Sequence, residues 1–253
     1  MNKQKTEKIN HGLVRLEQIG KFQNIALFTL DRPEKANAYT DAMVNQFMCL
    51  LDEAIADSAI HAAIITGAGK RTFCSGADTY SFAGRSYTEG LNLLSRRLFD
   101  KLAEAPWPTI AAIFGPAIAG GLELALACDM RICNASSWFA LPEVELNLVP
   151  AAGGLSRLPQ LINPSRAKEI ILFGRKVDAV TALEWGLVAK ISEDPLADAL
   201  DSAEHAVKQD DLAMRLAKMA LQAGNQTTQS THLDAVSQAL LYYRNQQNPK
   251  TDI

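Results

Sequence analysis

The sequence predicts an α/β protein that ends in a helical region. Over the first two thirds of the chain, apolar runs typical of buried strands alternate with patterns of helical period. After about Pro195 the helical patterns follow one another without a strand between them. We therefore predict a core over residues 1–194 and a helical C-terminal region over residues 195–253.

Each element of the core has its own local signal. Buried apolar runs predict strands at 24–30, 61–66, 109–114 and 130–133. Thr40 or Asp41 is suited to cap a helix in which Met43, Phe47 and Leu51 recur at helical spacing. Further helices are predicted at 87–104, from Gly120 onward, and at 197–208, 212–223 and 232–244. Strand, helix and strand at this spacing favour parallel pairing.

Composition excludes several classes of protein. Of 253 residues, 48% are apolar and 21% charged, as in ordinary globular proteins, and the net charge is −3. Without a broad basic surface, nucleic-acid binding is not expected, and an anionic ligand has to be held by local features. The N-terminus lacks the apolar region of a signal peptide. The apolar run 109–127 is interrupted by Gly115, Pro116 and Glu123, so we read it as a strand, a turn and a helix rather than a membrane span.

The four cysteines, Cys49, Cys74, Cys128 and Cys133, form no CxxC pair and have no histidine-rich neighbourhood. This pattern predicts neither a zinc site nor a disulfide framework. We interpret each cysteine as a small buried apolar residue in a reducing compartment, the cytoplasm.

Two glycine-containing loops, 74–78 and 115–121, follow predicted strands, where ligands collect in α/β sheets. Gly120 and Gly121 fall at a helix N-terminus, whose backbone N–H groups lack intrahelical partners and can approach a ligand oxygen. A second N–H from the first loop would complete a pair of donors for an oxyanion or enolate.

Two glutamates are candidates for acid/base chemistry. Glu123 lies one turn after Gly120 among leucines, and Glu143 follows the stiffening Pro142. The alternatives are structural: Glu123 complements the helix dipole, and Glu143 is a solvated loop residue like Glu145. Two carboxyl groups flanking one water can act as general base and general acid in the same reaction.

Several motifs in order resemble those of the enoyl-CoA hydratase/isomerase (crotonase) superfamily. They are Asp31-Arg-Pro-Glu-Lys-Ala-Asn-Ala38, Phe73-Cys-Ser-Gly-Ala-Asp78, the turn and helix at 115–129, Phe139-Ala-Leu-Pro-Glu-Val144, Pro150-Ala-Ala-Gly-Gly154, Ser156-Arg-Leu-Pro159 and Ala182-Leu-Glu-Trp-Gly-Leu-Val188. The chain departs from the family pattern at Asn147, where glycine is usual. Its predicted helical C-terminal region is shorter than that of the family. Asparagine tolerates left-handed backbone, which glycine otherwise supplies.

The resemblance implies a crotonase-like spiral of ββα units and an acyl-CoA substrate bound by a homotrimer or a hexamer made of two trimers. It assigns Glu123 and Glu143 to catalysis and the N–H groups of Ala77 and Gly120 to the oxyanion hole. The substrate-binding residues that it implies are Lys35, Ala36, Ala38, Gly76, Asp78, Thr79 and Tyr80. No metal or other cofactor is expected, since coenzyme A arrives as part of the substrate.

The leading hypothesis is therefore an enoyl-CoA hydratase. A 3,2-enoyl-CoA isomerase or a pathway-specific acyl-CoA dehydratase on the same site remains open. A further alternative, from another class, is a non-catalytic protein that binds acyl-CoA or RNA.

Overall fold

The computed structural model describes residues 13–78 and 93–223, and its main feature is a six-stranded sheet. The strands are β1 (Val14–Ile19), β2 (Ile25–Leu30), β3 (Ala62–Gly67), β4 (Thr109–Ile113), β6 (Met130–Cys133) and β9 (Lys190–Ile191). They lie in the order β1-β2-β3-β4-β6-β9; β1 pairs antiparallel to β2, and every other pair is parallel.

A smaller sheet of three short strands lies beside the first and carries the candidate site. It consists of β5 (Ala117–Ile118), β7 (Trp138–Ala140) and β8 (Val177–Asp178), in the order β5-β7-β8. The helices of the described part are α1 (Asp41–Ala56), α2 (Leu94–Ala103), α3 (Gly120–Leu126), α4 (Gly154–Leu161), α5 (Pro164–Phe173), α6 (Ala179–Glu184), α7 (Pro195–Ala206) and α8 (Asp211–Ala223). Short 3-10 turns span Pro33–Lys35 and Glu143–Leu146.

The central strands of the large sheet are buried on both faces. All six residues of β2 are buried, and successive side chains belong to two different apolar clusters, as the alternation of a strand requires. On one face Phe28 stacks on Phe47 of α1, with ring centroids 4.9 Å apart. On the other face Ala199 and Ala203 of α7 cover the sheet.

Helix α1 shows how the apolar period determines which side chains are buried. Thr40 is its N-cap, accepting a hydrogen bond from the N–H of Met43 at 3.3 Å, as predicted. Met43, Phe47 and Leu51 form the buried stripe. Cys49 lies off that stripe and is exposed, so the prediction that all four cysteines are buried was wrong for this one. The other three are buried.

The segment that follows α3 is held by a partly buried network that includes Lys218 of α8. Asp129 accepts hydrogen bonds from the backbone N–H of Thr109 (2.8 Å) and from Nζ of Lys218 on α8 (2.7 Å). Lys218 also donates to the carbonyl of Trp107 at 2.9 Å. Arg131, the base nearest to Asp129 along the chain, donates instead to backbone carbonyls, among them that of Cys128 at 2.7 Å.

The predicted fold class is confirmed: strands and helices alternate with parallel pairing, and helices end the described chain. The strands predicted at 24–30, 61–66, 109–114 and 130–133 occur within one or two residues of those bounds. The prediction did not include β1, the strands of the small sheet, β9, or α4 to α6. The helix predicted at 232–244 and the first part of the one predicted at 87–104 lie outside the described residues. Across 13–78 and 93–223, no helix is both long and apolar enough to cross a membrane.

Candidate active site

The two glycine-containing loops meet beyond the carboxyl ends of β3 and β4. The N–H of Phe73 donates to the carbonyl of Pro116 at 3.0 Å, and the N–H of Ile118 donates to the carbonyl of Cys74 at 3.0 Å. Cys74 also forms a parallel bridge with Ala117. These backbone bonds place the two loops side by side, as the order of parallel strands predicts.

The turn into α3 has an uncommon backbone conformation. Ala119, just before the helix, has φ 52° and ψ −129°, a combination that residues other than glycine rarely adopt. Its N–H donates to the carbonyl of Ala140 on β7 at 2.9 Å, so the small sheet holds the turn. Gly120 is the first helical residue, and its N–H therefore has no intrahelical acceptor. A Cβ on Gly121 would collide with the carbonyl of Cys74.

Backbone bonds also orient Ala77 in the first loop. The N–H of Tyr39 donates to the carbonyl of Gly76 at 2.9 Å, and the N–H of Asp78 donates to the carbonyl of Tyr39 at 2.8 Å. In such a parallel bridge the N–H of Ala77 faces away from Tyr39. Gly76 has φ 95°, and a Cβ there would lie 3.1 Å from the nitrogen of Gly120.

Tyr39 is a site residue that the sequence analysis did not identify. A Cβ on Gly120 would collide with the Tyr39 hydroxyl, so this hydroxyl lies directly against the start of α3. It is hydrogen-bonded to Ser95 of α2. Burial, with the nearby Cys74, Glu123 and Glu143, raises the pKa of Tyr39 far above its usual range, so the hydroxyl keeps its proton. The sequence feature that could have identified Tyr39 is its position directly after Asn37-Ala38, the end of the first motif.

Glu123 is a buried carboxylate that has backbone partners. Its side chain is on α3, and the residue is 3% exposed. Oε1 accepts a hydrogen bond from the N–H of Gly154 at 2.8 Å, and the N–H of Ala152 also donates to the carboxylate. Burial raises the pKa of Glu123, while these two N–H groups and the charges of Arg157 and Arg96 oppose the rise.

Glu143 is also buried, but its carboxyl group has fewer hydrogen-bond donors than that of Glu123. It opens the 3-10 turn that follows Pro142, and the residue is 8% exposed. Within the described chain its Oε2 is buried and has no hydrogen-bond partner. Burial, opposed only by its own backbone N–H and reinforced by the charge of Glu123, raises the pKa of Glu143 to about 7. Asn147 ends the turn in left-handed conformation, φ 57°, as its replacement of a glycine suggested.

The two carboxyl groups therefore differ in proton affinity. Two N–H bonds favour the carboxylate form of Glu123, whereas Glu143 lacks comparable donors and its raised pKa favours the protonated form up to about pH 7. An ionised and a protonated carboxyl group beside each other can take up one proton and release another in the same reaction.

The other predicted site residues border the same loops. The N–H of Ser75 donates to the carbonyl of Ala36 at 3.1 Å, which places the segment 35–38 beside the first loop, with Lys35 exposed. Arg32 donates to the carbonyl of Ala38 at 3.0 Å and to Asp78 at 2.7 Å, so Asp78 is already engaged in an ion pair. Thr79 and Tyr80 lie outside the described residues. In the segments that the structure describes, no three His, Cys, Asp or Glu side chains gather as metal ligands.

Comparison with known proteins agrees with this fold and these motifs. The family described as Enoyl-CoA hydratase/isomerase matches residues 20–252, and the chain belongs to that family. YngF of Bacillus subtilis is 40% identical over 222 residues, 84% of each chain. A short-chain-enoyl-CoA hydratase of Clostridium acetobutylicum is 34% identical over 89% of this chain and 87% of its own. The crystal structure of an enoyl-CoA hydratase from Bacillus anthracis superposes with a TM-score of 0.85 at 30% identity, covering 96% of this chain and 98% of that one.

Proposed function

We propose that the protein is an enoyl-CoA hydratase that adds water to a 2-enoyl-CoA thioester. The observation that carries this proposal is the pair of buried glutamates, Glu123 with two backbone donors and Glu143 with an unpartnered oxygen. An isomerisation moves a single proton within the substrate and can proceed with one carboxyl group, whereas hydration uses a base and an acid together.

In the proposed reaction the ionised Glu123 takes a proton from water as the water oxygen bonds to the β-carbon. The electrons of the double bond shift towards the thioester oxygen and form an enolate. The protonated Glu143 then gives its proton to the α-carbon, and the thioester carbonyl re-forms. In sum, one water is added to the substrate, Glu123 gains a proton and Glu143 loses one. A proton returns from Glu123 to Glu143 before the next turnover.

The N–H groups of Ala77 and Gly120 would stabilise the enolate oxygen. Two features of the geometry support this assignment. Gly120 is the first residue of α3, and its N–H lies next to Gly76. The N–H of Ala77 faces away from its bridge partner Tyr39. We assign Lys35, Ala36 and Ala38 to the side of the pocket that receives coenzyme A. Coenzyme A is part of the substrate in this proposal, and the chemistry uses no further cofactor.

The test is the loss of conjugated thioester absorbance on adding crotonyl-CoA. Glu123→Gln and Glu143→Gln should each lower the rate by about 10²- to 10⁴-fold, the usual contribution of a positioned acid or base. Glu145→Gln is the matched control, because Glu145 is on the same 3-10 turn but is exposed.

Two results would overturn the hydratase assignment. Wild-type rates in the Glu143→Gln variant would remove the acid from the mechanism. A wild-type protein that is inert with crotonyl-CoA but converts 3-enoyl-CoA would show an isomerase on the same site.

We also propose that the chain assembles as a homotrimer, with a hexamer of two trimers as the alternative outcome. An apolar patch supports assembly. It is formed by Val144, Leu146, Leu148 and Val149 near Glu143 and by Leu172 and Phe173 at the end of α5. The two parts adjoin, since Gly174 lies against the Glu145 side chain. Exposed apolar surface of this extent is typical of protein interfaces.

Sedimentation velocity tests the assembly. Phe173→Asp should lower the sedimenting mass, whereas Phe22→Asp, at an exposed phenylalanine in the β1–β2 turn, should not. A monomeric wild type would contradict the proposal. Three of the four free cysteines are buried, which fits the reducing, cytoplasmic setting that we propose for the protein.

A further inference from the structure

Behind Glu123, two arginines share one aspartate. Nη2 of Arg157 on α4 lies 2.5 Å from Oδ1 of Asp100 on α2, and Nε of Arg96 lies 2.7 Å from Oδ2 of the same carboxylate. The cluster Arg96–Asp100–Arg157 therefore has a net charge of +1. The Arg157 side chain is 16% exposed, whereas Asp100 and Arg96 are 37% and 43% exposed, so the cluster is shielded from solvent only at its Arg157 end.

Arg157 also holds the turn that binds Glu123. Its Nη1 donates to the carbonyl of Ala152 at 3.2 Å and covers Gly153, where a Cβ would collide with the guanidinium. The turn Ala152–Gly154 supplies the two N–H groups that bind the Glu123 carboxylate. One guanidinium thus fixes the direction of these N–H groups and anchors the turn to α2.

The charged and titratable groups around Glu123 come from every element packed against α3. They are Arg157 on α4, Arg96 and Asp100 on α2, Glu143 on the 3-10 turn, the hydroxyl of Tyr39 next to Gly120, and the buried thiol of Cys74 against Gly121. Burial raises the pKa values of Tyr39 and Cys74, so both stay neutral, and the charge of Glu123 raises the pKa of Glu143. The arginine–aspartate cluster is the only one of these groups whose net charge favours a carboxylate.

We propose that Arg157, held by Asp100, is a positioning residue that aims the Ala152–Gly154 turn at Glu123 and keeps this carboxylate ionised for reaction with water. This inference deepens the proposed hydratase function and rests on it. Asp100 has a double part, because it anchors the guanidinium and also offsets half of the positive charge of the two arginines.

Because Asp100 and Arg157 carry opposite charges, their substitutions should shift the Glu123 midpoint in opposite directions. A purely structural role of the cluster would not produce opposite shifts. Glutamate carboxyl carbons are labelled with carbon-13, the Glu123 signal is assigned with Glu123→Gln, and its pH midpoint is followed by NMR. Arg157→Gln should raise the midpoint by about 0.5 to 1 pH unit, and Asp100→Asn should lower it by a similar amount. Arg157→Lys keeps the positive charge but loses the planar set of guanidinium N–H donors, so the Glu123 midpoint in this variant should stay near that of the wild type.

Kinetics with crotonyl-CoA then separates charge from position. Arg157→Gln should lower kcat/KM about 10- to 100-fold at neutral pH and move the acid limb of its pH profile upward. Arg157→Lys should lose rate with the limb unmoved. Arg166→Gln is the control, since Arg166 pairs with Glu169 on the surface of α5.

The outcomes distinguish this inference from the function on which it rests. Midpoints that do not move, or that move in the same direction in Arg157→Gln and Asp100→Asn, overturn the role of the cluster. Opposite shifts in a protein that does not hydrate crotonyl-CoA would retain the control of Glu123 by the cluster and reject the hydratase function. Asp100→Asn, at a partly exposed side chain, keeps the test decisive if Arg157→Gln does not fold.

Discussion

Replacing Glu143 with glutamine should stabilise the folded protein above neutral pH while lowering the rate of hydration about 10²- to 10⁴-fold. The pKa of Glu143 is raised from 4.5 to about 7 in the folded state, so folding favours its protonated form. Below the unfolded pKa of 4.5 this group costs the fold nothing. As the pH rises towards 7 the unfolded state gains stability by ionising first, and above about 7 the penalty is constant.

The magnitude follows from the size of that shift. Each pKa unit corresponds to about 1.4 kcal/mol, so moving from 4.5 to about 7 sets an upper limit of roughly 3 kcal/mol. Because Glu143 lies close to the surface, solvent screens part of this penalty. We expect Glu143→Gln to raise the free energy of unfolding at about pH 8 by roughly 1–2 kcal/mol more than it does at about pH 5.

Urea unfolding at these two pH values, at one protein concentration, measures the difference. Glu145→Gln serves as the control on the same turn, and it should change stability equally at both pH values. The reasoning is refuted if Glu143→Gln has the same effect at both pH values, or if it stabilises only at the lower one.

Three further predictions concern the site and its support. Gly120→Ala should lower hydration at least 100-fold because the new methyl group collides with the Tyr39 hydroxyl, and the double variant with Tyr39→Phe should recover part of the rate in the same assay. The kcat/KM for hydration should fall as the pH rises through about 7, since Glu143 then loses the proton it donates; a flat profile to pH 9 would contradict its role as the acid. Lys218→Met should lower the free energy of unfolding by about 2–3 kcal/mol in urea titrations, against little change for the exposed Lys168→Met.

Where the local pattern agreed with the tertiary environment, the sequence was sufficient to predict the element. Strand β2 is a continuous apolar run, and it is buried on both faces of a mostly parallel sheet, the setting that such runs indicate. The capping of α1 by Thr40 depends on a contact three residues away and was likewise predictable. The strands of the small sheet, with two or three residues each, are too short to show a period, and they form only because distant segments pair.

Cys49 shows a further reason for error, and Asp129 shows a side-chain contact that spacing along the chain does not reveal. Free cysteines are usually buried, but no physical requirement excludes them from the surface. A cysteine that lies off the apolar stripe of α1 can therefore be exposed. For Asp129, the nearest base along the sequence was Arg131, yet the base that folding supplies is Lys218, 89 residues away. Choice of partner is a property of three-dimensional packing that spacing along the chain does not report.

The sequence by itself determined the fold class, the two glycine loops, and the two glutamates as candidates, since all of these depend on local residue types and their order. Only the tertiary structure decided how the two carboxyl groups differ. Glu123 meets two N–H groups from a turn 30 residues away, while Glu143 is buried with an oxygen that no described group satisfies. Proton affinity is determined by burial, by donors and by nearby charges, and folding brings these together from segments far apart in the chain.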